Sequence, residues 1–212
     1  MDAADFMRWA AVVAVSYLLG AIPTAYLVCR ARGVDIFTVG SGNMGATNVA
    51  RALNLWWGIA VWLMDMGKGV LAILLARLLL PYDPAAATAV GALAAIVGHN
   101  WSVFVVRLTG RLRGGKGASI TFAALALIAP HVVLVVSLIG GAVLLATRYV
   151  SLTVLVMLGL ATAWIVVLSS QSALAWEYAL YALLALSLTL YRFRDNIQRL
   201  LRGTERRLGE RV

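Results

Sequence analysis

Charged residues are scarce in this chain of 212 residues: 13% are Asp, Glu, Lys or Arg, 62% are hydrophobic, and the mean hydropathy is +0.90. A soluble domain carries about a quarter charged residues, so little room is left for a water-soluble fold. Cysteine is nearly absent. Cys29 alone cannot close a disulfide within one chain or supply a thiolate cluster, and His99 and His131 are too few to lead one to expect a histidine metal site. No metal and no cofactor is expected. Acidic residues are few as well, 9 against 18 Lys and Arg, which leaves a formal charge of +9. Set around apolar spans, that excess reads as a topology signal, and no nucleic-acid partner is expected. A basic leader is missing too: the start, Met1-Asp2-Ala3-Ala4-Asp5, is acidic, so the first apolar stretch reads as a retained span and not as a cleaved signal.

Long hydrophobic runs are abundant. They fall near 6–28, 53–80, 85–106, 118–129, 131–147, 150–169 and 174–191. The first of them, at about 1.5 Å per residue, crosses a hydrocarbon core of roughly 30 Å. The fold class expected is therefore all-α integral membrane, with seven transmembrane helices in a single domain over 1–212. The separation of the fourth from the fifth rests on Ala129-Pro130-His131. With seven spans and the N-terminus outside, 15 of the 18 basic residues lie inside, including Arg30, Arg51, Arg107, Arg113, Lys116 and Arg148, while Asp2, Asp5, Asp83 and Glu177 lie outside. That asymmetry follows the positive-inside rule and makes the C-terminus cytoplasmic. The tail, 192–212, carries Ile197, Leu200 and Leu201 at helical spacing between cations, the pattern of an amphipathic helix on the inner membrane surface.

Polar chemistry collects in two inside loops. The first contains Gly40-Ser41-Gly42-Asn43-Met44-Gly45-Ala46-Thr47-Asn48 and then Arg51. Its glycines let backbone N–H groups turn toward an anion, and Arg51 adds a bidentate cation, so the loop reads as phosphate-site chemistry; a flexible polar helix cap is the plainer reading. The string also spells Gly-x-Gly-x-x-Gly, with Asp65 twenty residues on, but a membrane helix precedes it, so a dinucleotide fingerprint is rejected. The second loop, Arg107 to Gly117, holds four cations and four glycines. Gly110 to Lys116 is spelled like a Walker loop, yet Gly117 stands where the magnesium-binding hydroxyl belongs. Lys116 between Gly115 and Gly117 still reads as a phosphate contact, with a positively charged turn as the alternative. Asp65 and Lys68, three apart inside the second span, form either an ion pair that orders helix packing or a polar wall beneath the loops. His99 beside Asn100 reads as a packing hydrogen bond or a catalytic group, and Arg148-Tyr149-Val150-Ser151 marks the inner end of a helix.

Taken together, these motifs resemble the bacterial glycerol-3-phosphate acyltransferase family of the PlsY type, integral-membrane enzymes that use acyl-phosphate. The likeness runs over nearly the whole chain: Gly40 to Asn48 with Arg51; Gly58, Asp65, Lys68 and Gly69; Gly98-His99 and Gly114-Gly115-Lys116-Gly117; Arg148 to Ser151; and Asn196-Ile197 through Gly203-Thr204-Glu205. The resemblance implies transfer of a fatty acyl group from acyl-phosphate to the 1-hydroxyl of glycerol 3-phosphate, giving lysophosphatidate and phosphate. It implies Ser41, Arg51, Lys116 and Asn196 as catalytic residues, and Gly40, Gly42, Asn43, Gly45, Thr47, Asn48, Gly114, Gly115, Gly117, Ser151 and Glu205 as substrate-binding ones. Partners implied are the two substrates, the lipid bilayer of the bacterial inner membrane and a soluble enzyme that supplies acyl-phosphate. The chain departs from the family pattern at Phe193, where His is usual, at Phe37 and Ser102, and in extra residues around Arg107 to Arg111. The competing readings are a diverged relative with another acceptor or no activity, and a small anion channel suggested by Asp65 and Lys68. No inverted repeat supports the channel.

Overall fold

Helix α1 (Ala3–Ala21) starts on Asp2, whose carboxylate accepts the Asp5 amide at 2.7 Å. It stops where Pro23 supplies no N–H, and the chain resumes as α2 (Thr24–Ala31), the two forming one apolar rod over 3–31. The break exposes carbonyls in an apolar setting, and other helices satisfy them: Ser102 Oγ donates to the Ala21 carbonyl at 2.5 Å, and Lys68 Nζ to the Ile22 carbonyl at 2.7 Å. The computed structural model describes residues 2–210, and Arg211, counted with the basic tail, lies outside them.

The remaining elements are also helical: α3 (Ala46–Ala52), α4 (Leu55–Leu79), α5 (Pro84–Asn100), α6 (Val103–Thr109), α7 (Ala118–Ile128), α8 (Pro130–Thr147), α9 (Val150–Ser170), α10 (Trp176–Arg192) and α11 (Arg194–Leu201). Asn54, Asp83 and Ser102 cap α4, α5 and α6 through side-chain oxygens. The break between α7 and α8 falls at Ala129, where the sequence places it. Among the described residues, five segments are long and apolar enough to cross a membrane: 3–31, 55–79, 84–109, 130–147 and 150–170. Of the seven spans expected, α7 falls short because it has 11 residues, and α10 has 17. The third span differs in another way: α5 ends at Trp101 and α6 starts anew at Ser102.

Small residues allow backbones to touch. A Cβ on Gly20 would collide with the Ala95 carbonyl, and one on Gly98 with the Tyr17 carbonyl, so α1 and α5 cross at main-chain contact. The core between α4, α5, α7, α9 and α10 is built on Ile73, Ile96, Ile120, Leu125, Ile165 and Tyr181. Leucines such as Leu78 and Leu145 instead face outward on the rods, 74% and 86% exposed. An apolar exterior of this kind suits lipid and not water. The arrangement gathers both Gly-rich loops, α3 and α11 at one end of the bundle.

Candidate active site

The first loop is held in shape by Asn48 on α3. Its Oδ1 accepts the Ser41 amide at 3.1 Å, and its Nδ2 donates to the carbonyls of Val39 (3.0 Å), Asn43 (3.1 Å) and Ile36 (3.3 Å). Gly40 and Gly42 take φ of 58° and 63° to make this turn, and a Cβ on Gly40 would overlap Asn48 Oδ1. One turn further along α3 stands Arg51, whose Nε is buried without a partner. Burial first, and then the like charge of Arg206, hold its guanidinium below the ordinary arginine pKa.

The second loop folds back over the end of α5. The Gly115 amide donates to the His99 carbonyl at 2.9 Å, and a Cβ on Gly115 would run into the His99 imidazole. Arg192 of α10 clamps the turn by donating to the Gly115 carbonyl at 2.8 and 3.1 Å. Lys116 is thereby presented to the loop's inner side, where its Nζ donates to Asn196 Oδ1 and lies 4.6 Å from the centre of the Phe193 ring. Asn196 Nδ2 in turn donates to Glu205 Oε1 at 2.6 Å, which also accepts from Ser151 Oγ at 3.0 Å; Glu205 Oε2 pairs with Arg199 Nε at 2.7 Å. One carboxylate thus gathers α9, α11 and the segment after it. Burial, helped by the cations Arg199 and Arg192 against the opposing pull of Glu205, pushes the Lys116 ammonium down to a pKa of about 8.

Between these loops lies a cavity of about 380 Å³, of the size that takes a small ligand. Its polar side carries Ser41, Asn43, Thr47, Arg51, Lys116, Asn196, Arg199, Glu205 and Arg206; its other side is Trp62, Phe122, Leu144, Val154, Met157 and Leu158. Arg51, Lys116 and Arg206 make no ion pair among the described residues, whereas both carboxylates on the wall are paired, Glu205 with Arg199 and Asp65 with Lys68 at 2.8 Å. The cavity therefore has a surplus of positive charge at one end and an apolar slot at the other.

The model of the family described as "Glycerol-3-phosphate acyltransferase" matches residues 10–203. A glycerol-3-phosphate acyltransferase of Moorella thermoacetica is 41% identical over 96% of this chain and 99% of its own, and one of Thermus thermophilus is 43% identical over 93% and 94%. The crystal structure of PlsY, an integral membrane glycerol 3-phosphate acyltransferase solved in its glycerol 3-phosphate form, superposes with a TM-score of 0.83 at 34% identity, covering 95% of this chain and 96% of that one. The same enzyme in its lysophosphatidic acid form gives 0.81. The chain belongs to the glycerol-3-phosphate acyltransferase family.

As a member of that family it is an integral membrane acyltransferase. Of the residues expected at the site, Ser41, Asn43, Gly45, Thr47, Asn48, Arg51, Lys116, Gly117, Ser151, Asn196 and Glu205 line the cavity. Gly40, Gly42, Gly114 and Gly115 do not: the first two shape the turn around Asn48, and the second two let the loop lie against His99 and Asn100. Asn48 lines the cavity and also braces the loop through both the oxygen and the nitrogen of its amide. Asp65 serves both of its readings. It takes the Lys68 ammonium and the Thr24 hydroxyl beside the α1–α2 break, and it forms part of the cavity wall with His99, whose Nδ1 lies 3.8 Å from its Oδ1. A mutually satisfied pair needs no ion path to explain it. Sequence reasoning missed Arg199 and Arg206 as cavity residues, since cations in a tail read first as topology. The one available signal was the i, i+3 spacing of Asn196 and Arg199 on α11.

Proposed function

We propose that this acyltransferase moves a fatty acyl group from acyl-phosphate to the 1-hydroxyl of glycerol 3-phosphate, releasing lysophosphatidate and inorganic phosphate. The observation that carries this reading is the two-ended cavity. Two phosphate groups suit an end where Arg51, Lys116 and Arg206 have no carboxylate partner among the described residues, and an acyl chain suits the slot of Phe122, Val154, Met157 and Leu158. In the reaction, the hydroxyl oxygen bonds to the acyl carbonyl carbon, the bond from that carbon to the phosphate oxygen breaks, and phosphate leaves with the electron pair. The hydroxyl proton passes to a substrate phosphate oxygen. Catalysis is then positioning and charge stabilisation: Arg51 and Lys116 neutralise phosphate, Ser41, Asn43 and Thr47 supply hydrogen bonds, and Asn196 aims Lys116.

In this reading the whole chain is one domain that spans the bacterial inner membrane seven times, α7 and α10 completing the five longer spans. The N-terminus faces outward, and both Gly-rich loops and α11 face the cytoplasm, where a soluble enzyme would deliver acyl-phosphate. The test is phosphate release by purified protein given acyl-phosphate with and without glycerol 3-phosphate, with lysophosphatidate followed by mass spectrometry. Release that depends on glycerol 3-phosphate is expected, with Arg51→Ala and Lys116→Ala each at least about a hundredfold slower at unchanged folded yield. Silence in the wild type with activity gained by Phe193→His would make the chain a diverged relative; silence in both would move the search to another acceptor.

A further inference from the structure

Arg206 lies beyond residue 203, where the match to the family model ends, yet its side chain lines the cavity. The route by which it arrives is written in the backbone. α11 ends at Leu201, Gly203 takes φ of 68°, and the Thr204 amide bonds back to the Arg199 carbonyl at 2.8 Å, so the chain reverses at the helix end. Residues 204–208 then run back toward the loops. Two anchors hold them. On one side of Arg206, Glu205 takes hydrogen bonds from Ser151, Asn196 and Arg199. On the other, the Leu208 amide donates to the Arg148 carbonyl and Arg148 Nη2 donates to the Leu208 carbonyl, both at 2.7 Å.

Held between these anchors, Arg206 faces the first loop: its Nη1 stands 3.8 Å from where a Cβ on Gly40 would sit. It has no carboxylate partner among the described residues, and neither does Arg51, whose buried Nε lacks any hydrogen bond. Their charges act on one another. Two like charges on one partly enclosed cavity repel while it is empty, and the same pair becomes favourable when an anion bearing two charges sits within reach of both. Arg206 itself is exposed, so an anion entering from solvent can reach it, while the double tie of Leu208 and the bonds of Glu205 hold its stretch of backbone beside the cavity.

We propose that Arg206 is a phosphate-binding residue, carried into the site by the anchored segment after α11 and sharing one phosphate group with Arg51. Its ligand class rests on the proposed acyl transfer, in which the phosphate belongs either to glycerol 3-phosphate or to the acyl-phosphate donor. Calorimetric titration of inorganic phosphate into the purified full-length protein in detergent tests the site without turnover. Arg206→Gln weakens binding about tenfold, the size of a charge-assisted hydrogen bond, and Arg206→Lys recovers most of the loss. Equal affinity in the wild type and Arg206→Gln overturns the proposal. Absence of phosphate binding in the wild type overturns it together with the functional reading. Binding that depends on Arg206, in a protein that does not turn over, keeps Arg206 and rejects the reaction. Where turnover is present, a KM raised by Arg206→Gln for glycerol 3-phosphate alone, or for acyl-phosphate alone, names the source of the phosphate, and a KM unchanged for both overturns the proposal.

Discussion

Lys116 shows how a single ammonium is tuned. It is desolvated at the cavity wall, its hydrogen bond runs to a neutral amide, and the nearby Glu205 is already shared with Arg199, so its pKa sits at about 8 and not near the usual lysine value. Below that pH the group is charged and attracts phosphate. As pH rises through about 8 it loses the proton, and kcat/KM for glycerol 3-phosphate is expected to fall about tenfold per pH unit above that point. A profile that stays flat to about pH 9.5, after subtraction of uncatalysed hydrolysis, would remove the Lys116 charge from the rate-determining interaction. The neighbouring Phe193, buried against Nζ, offers a ring face that does not titrate, where the resemblance leads one to expect an imidazole. Residue identity alone showed that Lys116 was bracketed by glycines; the desolvation and its neighbours came from distant segments.

Helix crossings are where the glycines of the bundle divide into two kinds. Gly98 and Gly20 lie where α1 and α5 meet backbone to backbone, whereas Gly159 on α9 has nothing within 4 Å of the place a methyl group would occupy. Gly98→Leu is therefore expected to force α1 and α5 apart and to cost about 1–3 kcal/mol or more, lowering the thermal midpoint in detergent. Gly159→Ala should leave that midpoint unchanged or raise it slightly, because alanine is the better helix former by about 1 kcal/mol. Comparable losses in both would mean that helix propensity and not close crossing decides these positions. The breaks in the rods show a similar division. Pro130 announces its break in the sequence, whereas the run over 6–28 reads as one span across Pro23, and the stop at Trp101 carries no proline, since Ser102 caps α6 and reaches the Ala21 carbonyl only once α1 is packed alongside.

For the whole molecule, charge asymmetry about the apolar spans predicts on which side of the membrane the Gly-rich loops lie. A Leu112→Cys reporter between Arg111 and Arg113, in a Cys29→Ala background, is expected to react with a membrane-impermeant maleimide only after cells are opened. Tyr82→Cys, at the opposite end of α4, should react on intact cells. Leu112 and Tyr82 are both exposed, so access to reagent is decided by the membrane and not by burial. Labelling of Leu112→Cys from outside would reverse the orientation and with it the cytoplasmic delivery of acyl-phosphate.

Composition and periodicity by themselves determined that the chain is an all-helical membrane protein, where its apolar runs begin and end within a few residues, and that polar, glycine-rich loops lie between them. These are local properties: hydropathy, a proline without an N–H, and glycine beside polar donors each act on their own stretch of chain. Tertiary structure alone decided which polar groups meet. Gly114 and Gly115 lie against His99 and Asn100, and Glu205, which already holds Asn196 nearby, draws in Ser151 from 54 residues away. Each depends on the crossing of helices remote in sequence, and the pattern along one segment carries no record of what another brings against it.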